Sequence, residues 1–388
     1  MKQVLMRGPV LTQSGYGVHS RQVAQWLLKK NDINVKFIAT PWGDTPWIVD
    51  PSAYGGLIKE IMTRTTKPEL AGPVDVSFQL QLPNEWGPLA KKNIGITAAV
   101  ETDRCHPGWV GACNMMDMVI VPSEHAKTSL TNTGTVTKPL IVIPESFSDG
   151  CMKPSDTLPV LPNFSTPFNF LVFGQITGTN VNNDRKNIFN TLKWLCEAFA
   201  NDKDVGIIVK TNAGRNTKID RNVCTVLLKQ LVSEVKKGPY PKIHLLHGDM
   251  SDDEVAALYK HPQVKALVAL TRGEGFGLPI LEAAASGLPI IATGWSGHTD
   301  FLKHGRYISV YYQLNEIHPT RIDDKIFMKG ARWATPSEED FKHRVIKFRH
   351  SSNVPKEWAA DLKNKIQDTY SFDKICEYYD EATKDIWT

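Results

Sequence analysis

Apolar, β-rich runs alternate with amphipathic stretches along most of this chain, and that alternation restricts it to parallel sheets flanked by helices. The first unit reads QVLMRG as a strand, TQSGYGVHS as a polar glycine-containing turn, RQVAQWLLKK as a helix and NVKFIAT as the next strand. VDVSFQL, KNIGITAAV and MVIVP continue as strands, the last leading into helical SEHAKTSL. Between Ile143 and Phe168 the pattern dissolves into a linker carrying Pro144, Pro154, Pro159, Pro162 and Pro167. A second series then begins: FNFLVFG, NIFNTLKWLCEAFAND, VGIIVKT, VCTVLLKQLVSEVKK, KIHLLHG, DDEVAALYK and VKALVAL. A chain of 388 residues exceeds the size at which one core stops growing, about 250–300 residues. The expected organisation is two Rossmann-like α/β domains, 1–163 and 164–357, followed by a helical segment, 358–388, whose Trp358, Tyr370 and Tyr378 dock on another surface.

Charge and composition exclude several classes. The formal charge of +4 is spread without a dense Lys/Arg block, which argues against nucleic acid and is compatible with an anionic small ligand or peripheral contact with a membrane surface. No apolar run approaches the ~18 residues of a membrane span, and the start MKQVLMRGPVLTQSG lacks the apolar stretch of a signal peptide. A soluble, cytoplasmic protein is expected. The six cysteines are scattered without a C-x-x-C pair, so free thiols are expected and a zinc site is not. Asp202-Lys203-Asp204 lies between a helix and a strand and reads as a surface turn.

The chemistry concentrates in TRGEGFGLPILEAAASG, Thr271 to Gly287. The strand VKALVALT leads into the loop RGEGFG, and a short helix follows, with Pro279 in its first turn and Gly287 just past its end. Such a unit aims free N–H groups and a partial positive charge at the carboxyl edge of a parallel sheet, where a diphosphate is the natural occupant. Glu274 emerges from the loop and Glu282 lies about one turn into the helix, so both carboxylates are expected to reach one crevice and accept hydrogen bonds from hydroxyls. A sugar nucleotide has a diphosphate at its centre and diols at both ends.

EGFGLPILEAAASGLPIIAT resembles the E-x7-E signature of glycosyltransferase family 4, retaining enzymes of the two-domain GT-B fold. The resemblance implies two Rossmann-like domains with parallel sheets facing across a cleft and a C-terminal helix crossing back to the first domain. It implies donor contacts from Gly275, Phe276, Gly277, Leu278 and Glu282, with Glu274 on the sugar. LVFGQITGTNVNNDRKNIFNTLKWLCEAF is similar to the family segment carrying a basic pair for the diphosphate; Lys186 matches the family lysine, Gln175 stands where an arginine is usual, and Arg185 is the local substitute. Lys210, at the end of VGIIVKTNAG, is a further donor-side cation, and HLLHGDMSDDEVAALYKH resembles the loop against which the base rests. SGYGVHSRQ, with Gly15 and Gly17, resembles the glycine turn over the phosphates. It also nearly satisfies G-x-G-x-x-G, so an NAD-dependent oxidoreductase is a formal competitor. ITAAVETDRCHPGWV is similar to the acceptor-side stretch; Thr102 stands where relatives place a histidine, leaving Asp103, His106 and Glu101 as polar candidates.

The resemblance implies metal-independent transfer of a sugar from a UDP-, GDP- or ADP-sugar to a hydroxyl of a glycan, lipid or small molecule, with no further cofactor. Two other readings stay open: a non-catalytic sugar-nucleotide binder and a sugar-nucleotide epimerase of the same fold.

Overall fold

The computed structural model describes residues 1–175, 180–212 and 216–387, and the chain divides into two compact units. Unit 1 comprises Met1–Ser146, Asp324–Met328 and Phe372–Thr388; unit 2 comprises Phe147–Asp323 and Lys329–Ser371. The division falls upstream of most of the proline-rich stretch, whose residues from Phe147 onward belong to unit 2.

Unit 1 holds strands β1 (Lys2–Gly8), β2 (Ile33–Ala39), β3 (Val76–Leu80), β4 (Lys92–Ile96), β5 (Met118–Val121) and β6 (Leu140–Val142). They form one sheet in the order β2-β1-β3-β4-β5-β6, parallel throughout. Its helices are α1 (Gly15–Leu28), α2 (Leu57–Thr63), α3 (Pro107–Met115) and α4 (Glu124–Thr131). Val4, Met6, Phe37, Phe78, Ile94 and Ile120 fill the core beneath α1.

The segment TQSGYGVHS is not the turn its glycines suggest, because α1 already begins at Gly15. Ser14 caps the helix by accepting the Gly17 N–H at 2.9 Å. Gly17 is required there by close approach: a Cβ would stand 2.1 Å from the Thr12 carbonyl oxygen. Arg21, one turn on, is buried and donates to the Val10 and Thr12 carbonyls at 3.2 and 2.8 Å, tying down the loop after β1.

Unit 2 holds β7 (Phe168–Phe173), β8 (Val205–Thr211), β9 (Lys242–His247), β10 (Val264–Ala269), β11 (Ile290–Thr293) and β12 (Ile308–Val310). Their order is β12-β11-β10-β7-β8-β9, again all parallel. Every residue of β8 is buried, as expected of a strand covered by helices on both faces, whereas the edge strand β9 is half-buried. The helices are α5 (Ile188–Ala198), α6 (Lys218–Val235), α7 (Asp252–Tyr259), α8 (Leu278–Ala285), α9 (Thr299–Leu302), α10 (Glu338–His350) and α11 (Asn353–Tyr370), with an antiparallel pair β13 (Tyr312–Glu316) and β14 (Arg332–Pro336). α5 buries Ile188, Thr191, Leu192 and Leu195, the i, i+3, i+4, i+7 stripe of an amphipathic helix, at about 1.5–3 kcal/mol for each large apolar side chain.

The terminal segment divides. Leu362, Ile366 and Tyr370 of α11 join the unit 2 core with Leu281 and Phe301. The last helix, α12 (Phe372–Thr383), belongs to unit 1: Ile375 and Tyr379 enter its core, and Asp380 accepts from the Trp26 indole at 2.9 Å. All six cysteines are free thiols. Among the described residues no helix is long and apolar enough to cross a membrane.

Candidate functional site

The strand order of unit 2 reverses between β7 and β10, with β8 and β9 on one side and β11 and β12 on the other. Such a switch point leaves a crevice beyond the carboxyl ends of the strands. The turn entering α5 and the loop Leu270–Gly277 entering α8 flank it. Residues 176–179 and 213–215, parts of LVFGQITGTNVNN and VGIIVKTNAG above, lie outside the described residues.

The turn before α5 is built by side chains bonding to backbone. Asp184 accepts the Ile188 N–H at 2.6 Å and the Lys186 N–H at 3.2 Å. Asn187, at φ +54, donates to the Leu270 carbonyl at 3.1 Å and so fastens this turn to the end of β10. Arg185 and Lys186 are thereby presented to Glu274: Lys186 Nζ lies 2.7 Å from Oε1, and Arg185 Nη1 lies 3.3 Å from Oε2 and 2.8 Å from the Gly273 carbonyl. Burial would raise the Glu274 pKa, but the Lys186 ammonium and then the Arg185 guanidinium outweigh it and hold the carboxyl down at about 2. The slot between Lys186, Glu274, Gly277 and Pro279 measures about 20 Å³, room for about one water molecule.

The backbone of Glu274 is held from behind. Ser296, at φ +88, accepts the Glu274 N–H on Oγ at 2.9 Å, and the Gly297 N–H donates to the Glu274 carbonyl at 2.9 Å. His298 is fully buried, and its Nε2 lies 2.7 Å from the Thr293 carbonyl. A carbonyl only accepts, so Nε2 carries the hydrogen and Nδ1 is left to accept the Ser296 hydroxyl at 3.4 Å. Burial lowers the His298 pKa and keeps the ring neutral.

Gly277 caps α8 at φ +102, and a Cβ there would stand 3.0 Å from that of His298. Among the described residues, the N–H groups of Phe276, Gly277 and Leu278 donate to no protein acceptor, and Pro279 has none to offer. Glu282 faces the Ser148 N–H and the Tyr259 hydroxyl, and it shares no neighbour with Glu274 among the groups that set their pKa values. Burial, reinforced by Asp252, pushes its carboxyl up to about 8. The same burial favours the neutral carboxyl over the carboxylate.

Lys210, at the end of β8, is 4% exposed and donates to Asn212 Oδ1 at 2.7 Å and to the Gly248 carbonyl at 2.6 Å; burial lowers its pKa to about 8. It braces the loops after β8 and β9. His244 bonds Thr166 at 2.9 Å. Asp202 and Asp204 of the D-x-D triplet pair with Arg349, and among the described residues no cluster of His, Cys, Asp and Glu could hold a metal ion.

In unit 1, Tyr16 between Gly15 and Gly17 stacks on Trp42 at 3.8 Å, and its hydroxyl meets Thr97 Oγ1 at 3.2 Å and accepts the Ala98 N–H at 3.1 Å. The start of α1 is thus joined to the loop after β4. In that loop the Thr102 hydroxyl is buried on the Arg104 carbonyl at 2.8 Å, and Asp103 lies 3.8 Å from Arg104 Nε. His106 accepts the Gly108 N–H at 2.9 Å and so caps α3. Trp109 and Trp86 are buried, and Trp47 is exposed.

Sequence reasoning passed over Arg272, Ser296 and His298. Arg272 is buried against Trp333 and donates to the Asp184 and Val181 carbonyls at 3.3 and 3.1 Å and to Thr335 at 3.2 Å. An arginine set between an apolar strand and a glycine was the available signal. For Ser296 and His298 it was the polar triplet SGH before a short helix.

Residues 227–317 match a family model described as "Glycosyl transferases group 1". The match covers 91 of the 388 residues. The matched segment runs from the second half of α6 through β13 and contains Glu274, Glu282, Ser296 and His298; Arg185, Lys186 and Lys210 precede it. No curated protein sequence matches the chain. Among solved structures, a glycosyltransferase from Rickettsia africae ESF-5 superposes with TM-score 0.65 at 13% identity, over 100% of this chain and 99% of that one. Anabaena HepE, solved with UDP-glucose, gives 0.62 at 12% identity, covering 99% and 100%. The pneumococcal O-GlcNAc transferase GtfA, solved with UDP and GlcNAc, gives 0.59 at 11%, covering 100% and 99%. Against the GtfA/B complex and S. aureus TarM, the chain spans only 57% and 54% of those chains. At such identities the likeness is one of fold, and the fold is GT-B, with two Rossmann-like units.

Proposed function

We propose that this chain is a retaining glycosyltransferase of family 4 that moves a sugar from a nucleoside-diphosphate donor to a hydroxyl acceptor, with Glu274 and Glu282 as its E-x7-E pair. The observation that carries the reading is the Lys186–Glu274–Arg185 cluster at a sheet switch point, set before the unpartnered amides of α8, with Glu274 and α8 inside the segment that matches the group 1 model.

In this reading the donor diphosphate competes with Glu274 for Lys186 and Arg185 and takes the N–H groups of Phe276, Gly277 and Leu278. The Glu274 oxygens released by that exchange accept hydrogen bonds from the sugar hydroxyls. The Ser296–His298 chain keeps the Glu274 backbone in place through this exchange. Glu282 binds the ribose diol. The anomeric bond to the diphosphate then breaks as a bond to the acceptor oxygen forms, and the acceptor's hydroxyl proton passes to the departing diphosphate. Pre-set donors at a leaving group contribute on the order of 3–4 kcal/mol each. Two cations and a helix end neutralise the leaving group without a metal, so transfer is expected to survive a chelator. Asp103 and His106 serve the acceptor side, and Lys210 supports the donor loops. The complexes of relatives with UDP and UDP-glucose favour a UDP-sugar.

A thermal-shift screen against UDP-, GDP- and ADP-sugars tests the donor site, since a ligand at 100 times its dissociation constant stabilises by about 2.7 kcal/mol. No shift with any of them removes the reading. The engaged Thr102 hydroxyl, standing where relatives have a histidine, favours a second reading, a sugar-nucleotide sensor. Tight binding without hydrolysis or transfer over a wide acceptor panel would select it.

A further inference from the structure

A second concave site lies at the opposite edge of the unit 2 sheet. A groove of about 610 Å³ opens at the amino ends of β10 and β11, within the size range of small-molecule sites. It is lined by Lys153, Lys260, His261, Lys265, Lys356 and Lys363, and by no aspartate or glutamate. Five ammonium groups therefore share one small concavity.

Their local partners leave most of that charge uncompensated. Lys153 pairs with Asp253 at 2.7 Å. Lys260 donates to the Lys153 carbonyl at 2.5 Å, and Lys265 donates to the Pro262 carbonyl, contacts that leave both charges standing. Among the described residues, no carboxylate lies within 4.0 Å of Lys260, Lys265, Lys356 or Lys363. Burial and then the neighbouring Lys363 lower the Lys260 pKa, and burial and then Lys356 lower that of Lys265. The lysines are close enough to repel in pairs. α7 and α8 both end at the groove, and a helix C-terminus favours one nearby cation by about 0.3–1 kcal/mol. That accounts for one lysine per helix and not for five. Lys356 and Lys363 lie two turns apart on α11, beside its buried stripe Ala359–Leu362–Ile366, so packing against the core holds them toward the groove.

We propose that this groove binds a small, multiply charged phosphate-class anion, distinct from the diphosphate of the donor site. The ligand is a soluble anion in preference to a lipid surface: the groove is pocket-sized, and Met152 is the only exposed large apolar side chain lining it. A membrane-docking face needs a broader apolar band. The inference stands independently of the transferase reading, because the groove lies about 20 Å away, at the other end of strands whose residues rise ~3.3 Å each.

The test is calorimetric titration of inorganic pyrophosphate into the full chain at low and at high salt, for the wild type, Lys356→Glu/Lys363→Glu and Lys186→Ala. The milder Lys356→Gln/Lys363→Gln pair is included in case charge reversal perturbs folding. The expected result is binding that weakens with salt, falls by about tenfold or more in the α11 variants and persists in Lys186→Ala. Absence of binding at low salt, or binding unchanged in both α11 variants, overturns the inference. Binding lost only in Lys186→Ala overturns it while leaving the donor site intact. Co-sedimentation with phosphatidylglycerol vesicles but not with phosphatidylcholine vesicles, without pyrophosphate binding, overturns it in favour of a lipid surface.

Discussion

Lys186→Met is the perturbation whose consequence the geometry states most fully. Lys186 reaches Glu274 at 2.7 Å, and the Glu274 side chain is 10% exposed, so removing the ammonium leaves a buried carboxylate with only Arg185 beside it. The Glu274 carboxyl stands at about 2 against an ordinary 4.5, and one pKa unit corresponds to about 1.36 kcal/mol, giving ~3 kcal/mol as the net of both cations over the cost of burial. Lys186 is the larger contributor, so its loss is expected to cost about 2 kcal/mol at pH 7, a fall of about 4–8 °C in the Tm of unit 2. A depressed carboxyl pKa contributes stability that is full above the unfolded pKa near 4.5 and is lost as pH falls through about 2. The gap between wild type and variant therefore narrows by only about 0.4 kcal/mol between pH 6 and pH 3.5. Urea titrations at both pH values, with Glu274→Gln completing a double-mutant cycle, measure this. A gap below about 0.5 kcal/mol at pH 7, or one that widens on acidification, would show that the ion pair does not hold the loop.

The raised Glu282 pKa has the opposite sign: its stabilising neutral form is complete below about 4.5 and its contribution is lost as pH rises toward about 8. Glu282→Gln is thus expected to gain stability relative to wild type across that window and to level off above it; parallel thermal scans in which the two proteins keep a constant offset would contradict this. Gly17→Ala drives a Cβ to 2.1 Å from the Thr12 carbonyl and should cost about 1–3 kcal/mol, whereas a Cβ at Gly15 meets nothing within 4 Å and should be neutral or slightly stabilising; denaturant midpoints that rank the pair otherwise would refute the packing. His298→Phe removes the acceptor for the Ser296 hydroxyl and should lower kcat more than it raises KM, while His298→Asn restores part of the loss; equal effects of both variants on kcat and KM would deny His298 a positioning role.

Much of unit 2 could be read in advance because its signals are local. FNFLVFG and VGIIVKT are strands buried on both faces, and a buried strand needs no partner's identity to look apolar. Pro279 and Gly287 bound α8 by backbone preference alone, and Gly287 does adopt φ +80. At the start of α1 two local signals compete, and the Ser14 cap with the close contact at Gly17 prevails over the turn preference of glycine. The stretch after Gly294 was illegible for another reason: β12 has three residues and β13 is half-exposed, so neither shows a period. What escaped the sequence at the site is long-range. Glu282 is set by Tyr259 and Ser148, and Arg272 by Asp184, Val181 and Thr335, neighbours that only the folded chain supplies.

The central claim is that a donor diphosphate sits on the amides that open α8, and a crystal of the chain soaked with UDP-glucose tests it most directly. The expected density places the diphosphate within hydrogen-bonding distance of the Phe276, Gly277 and Leu278 amides and of Lys186, with the sugar on Glu274 and the ribose on Glu282. A nucleotide bound elsewhere on unit 2, with the Lys186–Glu274 pair intact and Glu282 still turned to Ser148 and Tyr259, would contradict it.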